Sequence, residues 1–446
     1  VPKSRASQRV GSAAVAPDGH DVPGARVVLL VALAVFATES AWNFYDAQVP
    51  PLLKEHVASA AVIGLVMGMD NFLGIFIQPW IGNASDRTRT RRGRRMPYLL
   101  VGIPVAAVLF ALIPHAGGSL PLLILAVFAF ALVGNSVKPV SESLLPDYVS
   151  PRRRSEAHAV VKIATGLTII VSALVSIYLI DDHPTAAFLV PAGLMLVSVA
   201  VLGLTVRDSD SPGYRAALAD DAALATSQEV RPRVRDILRD IVTDADRSRV
   251  LLILVIVLFA GAWASSRALM TPYGMETLDL SRGKAGGMTL PAGLVFLLAA
   301  YPAALMARRF GTVRIIISGM VLFIAAMVLG TAVATPAGTV VAMCVASVGY
   351  AGFAINAAVL LWNLAPSDAV VGTYTGIYTI GAASGAALGP FVVGALVDLT
   401  GWRFMLLDVG FIAALAVAAA VALSASQTRG RPGPRTHDAV AGEGEI

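Results

Sequence analysis

Twelve times along the chain a run of roughly 20 apolar residues, long enough to cross the hydrocarbon core of a bilayer, is followed by a shorter polar connection. The runs fall at about 27–50, 61–83, 97–115, 120–145, 159–180, 184–206, 249–272, 286–307, 313–333, 337–362, 372–398 and 402–423. Few folds accept such a pattern, because a chain in lipid must satisfy its own backbone hydrogen bonds and does so as helices. With 56% apolar and only 14% charged residues, the chain also lacks the polar surface that an aqueous globule of 446 residues would need. The expected fold class is an all-α membrane protein with twelve transmembrane helices.

Charge sets the orientation. The loop from Gly82 to Pro97, GNASDRTRTRRGRRMP, carries six arginines and one acid between two apolar runs, which makes it a cytoplasmic hairpin under the positive-inside rule. Of the 34 Lys and Arg residues, 27 lie in the two terminal segments and the connections on this loop's side, against 4 on the other side. Both termini are therefore expected in the cytoplasm of a cell whose plasma membrane the chain crosses many times. The first run follows basic residues and is too long for a cleaved signal, so it reads as a retained helix.

The net charge of +5 is distributed by topology and is not gathered into a patch, so nucleic acid is not an expected partner. The single cysteine, Cys344, excludes an intramolecular disulfide. The six histidines, at 20, 56, 115, 158, 183 and 437, form no ligand pair at helical spacing, and no nucleotide-binding loop is present. No metal, no cofactor and no enzymatic activity are expected.

The polar stretch 207–248 divides the runs six and six. The reading is a disordered cytoplasmic tail at 1–26, an N-terminal six-helix bundle at 27–206, a cytoplasmic linker at 207–248, a C-terminal bundle at 249–423 and a second tail at 424–446. Around Val234, Ile237, Leu238 and Ile241 the linker can form an amphipathic helix, although a solvated tether is the simpler reading. The halves echo each other. LLPDYVSP (144–151) ends the fourth run and VLLWNLAP (359–366) the tenth, while RRFGTVR (308–314) repeats the basic loop in shorter form, so the two bundles are expected to be pseudo-symmetric repeats.

A charged side chain at mid-membrane depth costs about 2.5–3.5 kcal/mol on insertion scales, so it normally faces a cavity or a partner. Glu39, Asn43 and Asp46 recur at i, i+4 and i+7 and share a helix face with Trp42 beside them. Asp70 and Asn71 sit near the middle of the second run, Asn135, Lys138 and Glu142 on the fourth, Glu156 and Lys162 at the start of the fifth, and Arg267 towards the outer end of the seventh. Glu39, Asp70 and Asp46 are proton-coupling candidates, with Lys138 and Arg267 as counter-charges; the plainer alternative is an ion-pair network that fixes helix packing. Trp42, Asn43, Asn71, Asn135 and Asn356 are candidates for holding a polar solute, although most aromatics in such a protein pack or anchor. Glu142 and Lys162 lie nearer the cytoplasmic face, where a gate or an interface pair is expected.

In its basic loop the chain resembles the major facilitator superfamily, through Gly82, Asp86, Arg87, Gly93, Arg94 and Arg95. The resemblance implies two six-helix bundles, alternating access, and a conformational latch in which Asp86 and the arginines bond across the cytoplasmic bundle interface in one state. Asp86 and Gly93 are seven apart, where the general loop places them about three apart. The longer loop, with Gln78-Pro79, Ser85-Asp86, Gly93-Arg94-Arg95 and Pro97, then Leu144-Leu145-Pro146-Asp147, Arg152-Arg153-Arg154 and the stretch 157–165, is similar to the glycoside–cation symporters of the sucrose–proton type. That adds Asp147 to the latch; Lys138 stands where those relatives carry an arginine. The resemblance implies proton-coupled symport of a sugar or glycoside. Oxygen-rich faces at Glu39, Asn43, Asp46 and Asp70 leave sodium coupling open, and a proton-coupled exporter of drug-like or organic solutes is the alternative. The partners expected are a small solute, a coupling cation and the lipid bilayer, around a monomer.

Overall fold

A computed structural model of the chain describes residues 24–149, 154–215, 218, 247–364 and 371–429. It is helical throughout: α1 Gly24–Lys54, α2 Ala60–Arg87, α3 Met96–Leu112, α4 Leu120–Tyr148, α5 Arg154–Leu179 and α6 Pro184–Thr205 form the first half. The second contains α7 Ser248–Ala268, α8 Met270–Thr277, α9 Arg282–Gly287, α10 Thr289–Phe310, α11 Thr312–Val333, α12 Pro336–Ala354, α13 Ala357–Asn363, α14 Val371–Thr400 and α15 Met405–Arg429. Among the described residues, eleven helical stretches are long and apolar enough to cross a membrane, and a twelfth, Ile163–Leu179, is apolar but shorter. The predicted twelve-span pattern is thus met.

Local chemistry places the helix ends. Ser59 begins α2 by accepting a hydrogen bond from the Val62 N–H at 3.3 Å, and Thr335 does the same for α12 from Gly338 at 3.2 Å. Prolines occupy the first turn of α3, α4, α6 and α12, where a missing N–H costs nothing. Three ends differ from expectation. The second helix runs to Arg87 instead of stopping near 83, because the first arginine of the basic loop still accepts helical geometry. The seventh span breaks at Leu269 into α8, and the tenth breaks at Ile355–Asn356 into α13. The expected amphipathic helix at 234–241 and both terminal tails beyond residues 24 and 429 lie outside the described residues.

The two halves pack by one scheme. In the first, α1 packs on α5 and α6, α2 on α4, and α3 on α4 and α6; in the second, α7 packs on α14 and α15, α10 on α12, and α11 on α12 and α15. Span for span these are the same neighbours, as a duplicated six-helix unit requires. Each half has an aromatic centre. Phe44, Phe110, Phe130 and Phe188 interlock in the first at centroid distances of 5.0–6.3 Å, and Phe259, Phe323 and Phe353 in the second at 4.8–5.1 Å. The outward faces carry exposed Leu, Val and Phe side chains, such as Leu204 and Leu298, as lipid contact demands.

The halves meet along α2 against α14 and along α5 against α10. At Gly64 and Gly68 the backbones of α2 and α14 nearly touch, since a Cβ at either position would overlap the carbonyl of Pro390 or Ala387. One turn beyond, the Asp398 carboxylate at the end of α14 accepts from the Ser59 hydroxyl at 2.6 Å and from the N–H groups of Ala60 and Ala61 at 2.6 and 3.2 Å. An acid from one half thus caps a helix of the other, with the favourable sign for the helix dipole. Nearby, Arg282 donates to the Gln48 side chain and carbonyl, both at 2.8 Å, and the Gly283 N–H donates to Asp181 at 2.8 Å. Lys54 pairs with Glu276. All of these contacts lie at the end of the molecule opposite the arginine loop.

Gly68→Val should force α2 from α14 and open that end. In a Cys344→Ser background, the distance between spin labels at Ala58→Cys and Leu399→Cys is expected to lengthen on this substitution and to stay unchanged on Gly82→Val, because nothing lies within 4 Å of a Cβ at Gly82.

Candidate functional site

The polar residues of the apolar spans gather where the halves face each other. On α1, the shared face of Glu39, Asn43 and Asp46 turns towards α4, α5 and α7. Lys138 Nζ on α4 lies 2.9 Å from Glu39 Oε1. Asn43 donates to the Thr168 hydroxyl on α5 at 2.7 Å. Arg267 on α7 donates through one nitrogen, Nη2, to Asn43 Oδ1 at 2.9 Å and to Asp46 Oδ2 at 3.0 Å. This last group crosses between the halves. Its side chain and that of Asp46 are about a third exposed, at 35% and 34%, so they face a cavity and not packed core.

Asp70 differs in kind. It is buried, its Oδ1 accepts from the Asn71 amide at 2.9 Å, and among the described residues no cation lies within ion-pair distance of it. It interacts electrostatically with Asp46 and Lys138. Both carboxylates act electrostatically on Tyr45, fully buried, whose hydroxyl has no hydrogen-bond partner among the described residues. A carboxyl held by one amide and no cation can exchange a proton without first breaking a salt bridge.

Of the solute-binding candidates, Asn43 and Asn71 stand on the cavity side, each half-buried. Trp42 packs edge-on to Tyr45 at 5.5 Å and against Phe130 at 4.9 Å, close over Gly134, so much of its ring belongs to the first half's core. Asn135 is buried and its atoms are engaged: it donates to the Asp70 and Ala131 carbonyls, both at 2.9 Å, and accepts from Gln78 at 2.8 Å. Asn356 is buried at the break between α12 and α13, donating to the Gly352 carbonyl at 2.9 Å. Both therefore bind backbone in this conformation. The side chains of Glu156, Lys162 and Trp362 lie outside the described residues.

Sequence reasoning counted Tyr350 among the available aromatics but missed Trp263 and Phe296, with which it forms an aromatic wall in the second half. Trp263 on α7 stacks on Tyr350 of α12 at 4.0 Å and 7°, with Phe296 of α10 at 5.6 Å from Tyr350. Trp263 is one helical turn before Arg267, and that i, i+4 pairing of an aromatic with an intramembrane charge was the available signal. Tyr350 interacts electrostatically with Arg267 and Tyr378, which places the stacked pair beside the cross-half bridge. The cavity thus has an acid-rich wall from one half and an aromatic, cationic wall from the other.

At the far end, the arginine loop is built as a cluster within the first half. Arg95 pairs with Asp86 and the Ser85 hydroxyl, and its Nε donates to Asp147 at 3.1 Å; Arg94 grips Asp147 at 2.5 and 3.0 Å and lies 3.9 Å from Asp86. Burial alone would lower the Arg94 pKa, but the hydrogen bonds and charge of Asp147, with Asp86 and Asp208 behind it, raise it above the usual value. Gly93 holds φ of +92°, and a Cβ there would overlap Asp208. Arg87 and Glu142 are exposed, and Glu142 acts on Lys138 electrostatically. The expected bonding across the two bundles is not what this conformation contains: among the described residues, the cluster joins α2 to α4 and to the start of the 207–248 stretch, all within or beside the first half.

The family described as Major Facilitator Superfamily matches residues 31–301 and 288–442. A mouse (Mus musculus) protein named solute carrier family 45 member 3 is 38% identical over 91 residues, 20% of this chain and 16% of that protein. The sucrose transport protein SUC4 of Arabidopsis thaliana is 28% identical over 91 residues, 20% of this chain and 18% of its own. The chain thus covers less than a fifth of the length of these relatives. Among solved structures, a bacterial homologue of the human lysosomal transporter Spinster, in an inward-facing and occupied conformation, superposes with a TM-score of 0.72 at 13% identity, covering 92% of this chain and 98% of that one. The nucleoside transporter NupG gives 0.68 at 13% identity, covering 90% and 99%. At such identities the likeness is one of fold.

Asp147→Asn should leave Arg94 and Arg95 short of a buried counter-charge. Breaking such a pair costs about 3–5 kcal/mol, so the purified protein is expected to melt at clearly lower temperature, whereas Arg87→Gln, at an exposed position, should leave the melting point unchanged.

Proposed function

The chain belongs to the major facilitator superfamily, a membrane transporter by family and fold, and from that premise we propose that it carries a sugar or glycoside across the plasma membrane together with a proton. The observation that supports this best is the Arg267 bridge to Asn43 and Asp46, flanked by the stacked Trp263–Tyr350 pair. Sugars are recognised by directional hydrogen bonds to their hydroxyls and by an aromatic face against their C–H surface. The site offers both: hydrogen-bonding groups from the two halves and an aromatic face from the second.

The charges on its walls are already paired, Glu39 with Lys138 and Asp46 with Arg267, which suits a solute without net charge. Asp70 has no cation partner among the described residues and takes the role of proton carrier; a change in its charge acts on Asp46 and Lys138, and through Asp46 on the cross-half bridge. With one end sealed by α2 against α14 and the described cross-half bonds confined to that end and the mid-depth bridge, the molecule is read as open towards the arginine loop. The distribution of basic residues supports a cytoplasmic place for that loop and both termini. The bundles 27–206 and 249–423 then rock about the Arg267 site to expose it alternately. Both walls of the cavity come from one chain, so the single chain is taken as the unit of transport. The similarity to the plant sucrose transport protein supports the sugar assignment over its shared fifth of the chain.

The test is solute-evoked current in proteoliposomes with sucrose, maltose, melibiose and a set of organic cations, with and without Na⁺ and at two pH values. A pH-dependent, sodium-independent current with a disaccharide is expected, abolished in Asp70→Asn. Arg267→Gln is expected to lower apparent affinity for the sugar by about tenfold or more, since a hydrogen bond to a charged group contributes about 1.5–3 kcal/mol. Current only with organic cations would replace the sugar assignment with the exporter reading, and a sodium requirement would replace the proton.

A further inference from the structure

Outside the central cavity, one cleft combines features that neither the transport reading nor the family similarity uses. It has a volume of about 700 Å³ and lies between the start of α3 and the end of α6. Met96, Leu100, Val199, Gly203 and Leu204 line its membrane side, and Arg91, Arg92, Arg207 and Asp210 its polar mouth. Leu204 is 88% exposed, so the apolar side opens to the lipid and not to the protein interior. The three arginines lie just beyond the helix ends, at the level where hydrocarbon gives way to headgroups. All three are exposed, and among the described residues none of their guanidinium groups has a hydrogen-bond or ion-pair partner, in contrast to Arg94 and Arg95 beside them.

The arrangement is held by a structural bolt. Asp208, fully buried, accepts from the Arg95 N–H at 2.6 Å and fills the space above Gly93, while Tyr214 donates to the Thr90 carbonyl at 3.2 Å. These bonds fix the turn Asp208–Asp210 to the arginine loop and so set Arg207 opposite Arg91 and Arg92. The neighbouring groove lined by Thr88, Pro97, Tyr98, Val101 and Val137 carries no charged residue and offers no such selection.

The geometry points to a binding site for one anionic phospholipid. Its phosphate sits among Arg91, Arg92 and Arg207, and an acyl chain runs down Leu100, Gly203 and Leu204. Three cations against one acid give the mouth a net positive charge, and the sloping apolar floor selects an amphiphile over a free phosphate. Because the site includes the first turn of the inter-bundle linker, the lipid would join that linker to the first bundle.

Native mass spectrometry of the full chain in detergent, titrated with phosphatidylglycerol and with phosphatidylcholine, tests this. One phosphatidylglycerol per chain is expected to bind at least about tenfold tighter than phosphatidylcholine, whose choline cation cancels its phosphate charge, each arginine beside a net anionic headgroup contributing about 1 kcal/mol. The triple variant Arg91→Gln/Arg92→Gln/Arg207→Gln should lose that preference, and the charge-matched Arg308→Gln/Arg309→Gln/Arg314→Gln should keep it. Asp208→Asn removes a negative charge beside the mouth yet should weaken binding several-fold, because it releases the turn. Equal binding of the two lipids, equal loss in both triple variants, tighter binding in Asp208→Asn, or displacement of the lipid by millimolar glycerol 3-phosphate would each overturn the site.

Discussion

Lipid supplies no hydrogen bonds, and everything particular to this protein follows from how it meets that constraint. Backbone groups are satisfied by helices. Polar side chains are satisfied by one another, which pulls them to the one place where two six-helix units face each other. The same constraint explains why the units meet where they do. At Gly64 and Gly68, the absence of side chains lets α2 lie against the backbone of α14, and the acid that ends α14 supplies the hydrogen bonds that the start of α2 lacks. Where α2 meets α14, the seal is made of backbone approach and helix capping, and the larger side chains Arg282 and Lys54 add their bonds beside it.

The number and type of helices were legible because a membrane-spanning run is a long, one-signed signal. Glu39, Asn43 and Asp46 were legible for a second reason: three polar residues at helical spacing in an apolar run have no cheap location except a cavity. What could not be read was the partner of each. Lys138 was assigned to the acids as a group and proves to pair with Glu39, whereas Asp46 is served by Arg267 from 221 residues away. Asn135 and Asn356 looked like solute ligands because polar side chains in lipid look alike in sequence; helix geometry turns both onto backbone carbonyls. The stretch after residue 206 read as a tether because its composition is polar, and composition carries no trace of the buried carboxylate of Asp208 that fastens its first turn.

The arginine loop shows how one sequence feature can carry two tasks. Arg94 and Arg95 are turned inward and spent on Asp86 and Asp147, where they set the relation of α2 to α4. Arg91 and Arg92, only a few residues earlier, face outward. The difference is made by Gly93, whose left-handed backbone reverses the chain between the two pairs. A count of positive charge would treat all of them as equivalent topogenic residues.

Arg267 meets Asn43 and Asp46 through a single nitrogen, and a guanidinium carries five N–H groups. Among the described residues no partner meets the rest of its fork, which faces the cavity beside a flat indole. A visiting molecule can therefore be read there by its lone pairs without first evicting the carboxylate. Under the proposed proton-coupled transport, recognition at this point is additive and not competitive: the same cation would register cargo on one edge while it senses the charge of Asp46 on the other, so that occupancy and protonation would be compared within one side chain.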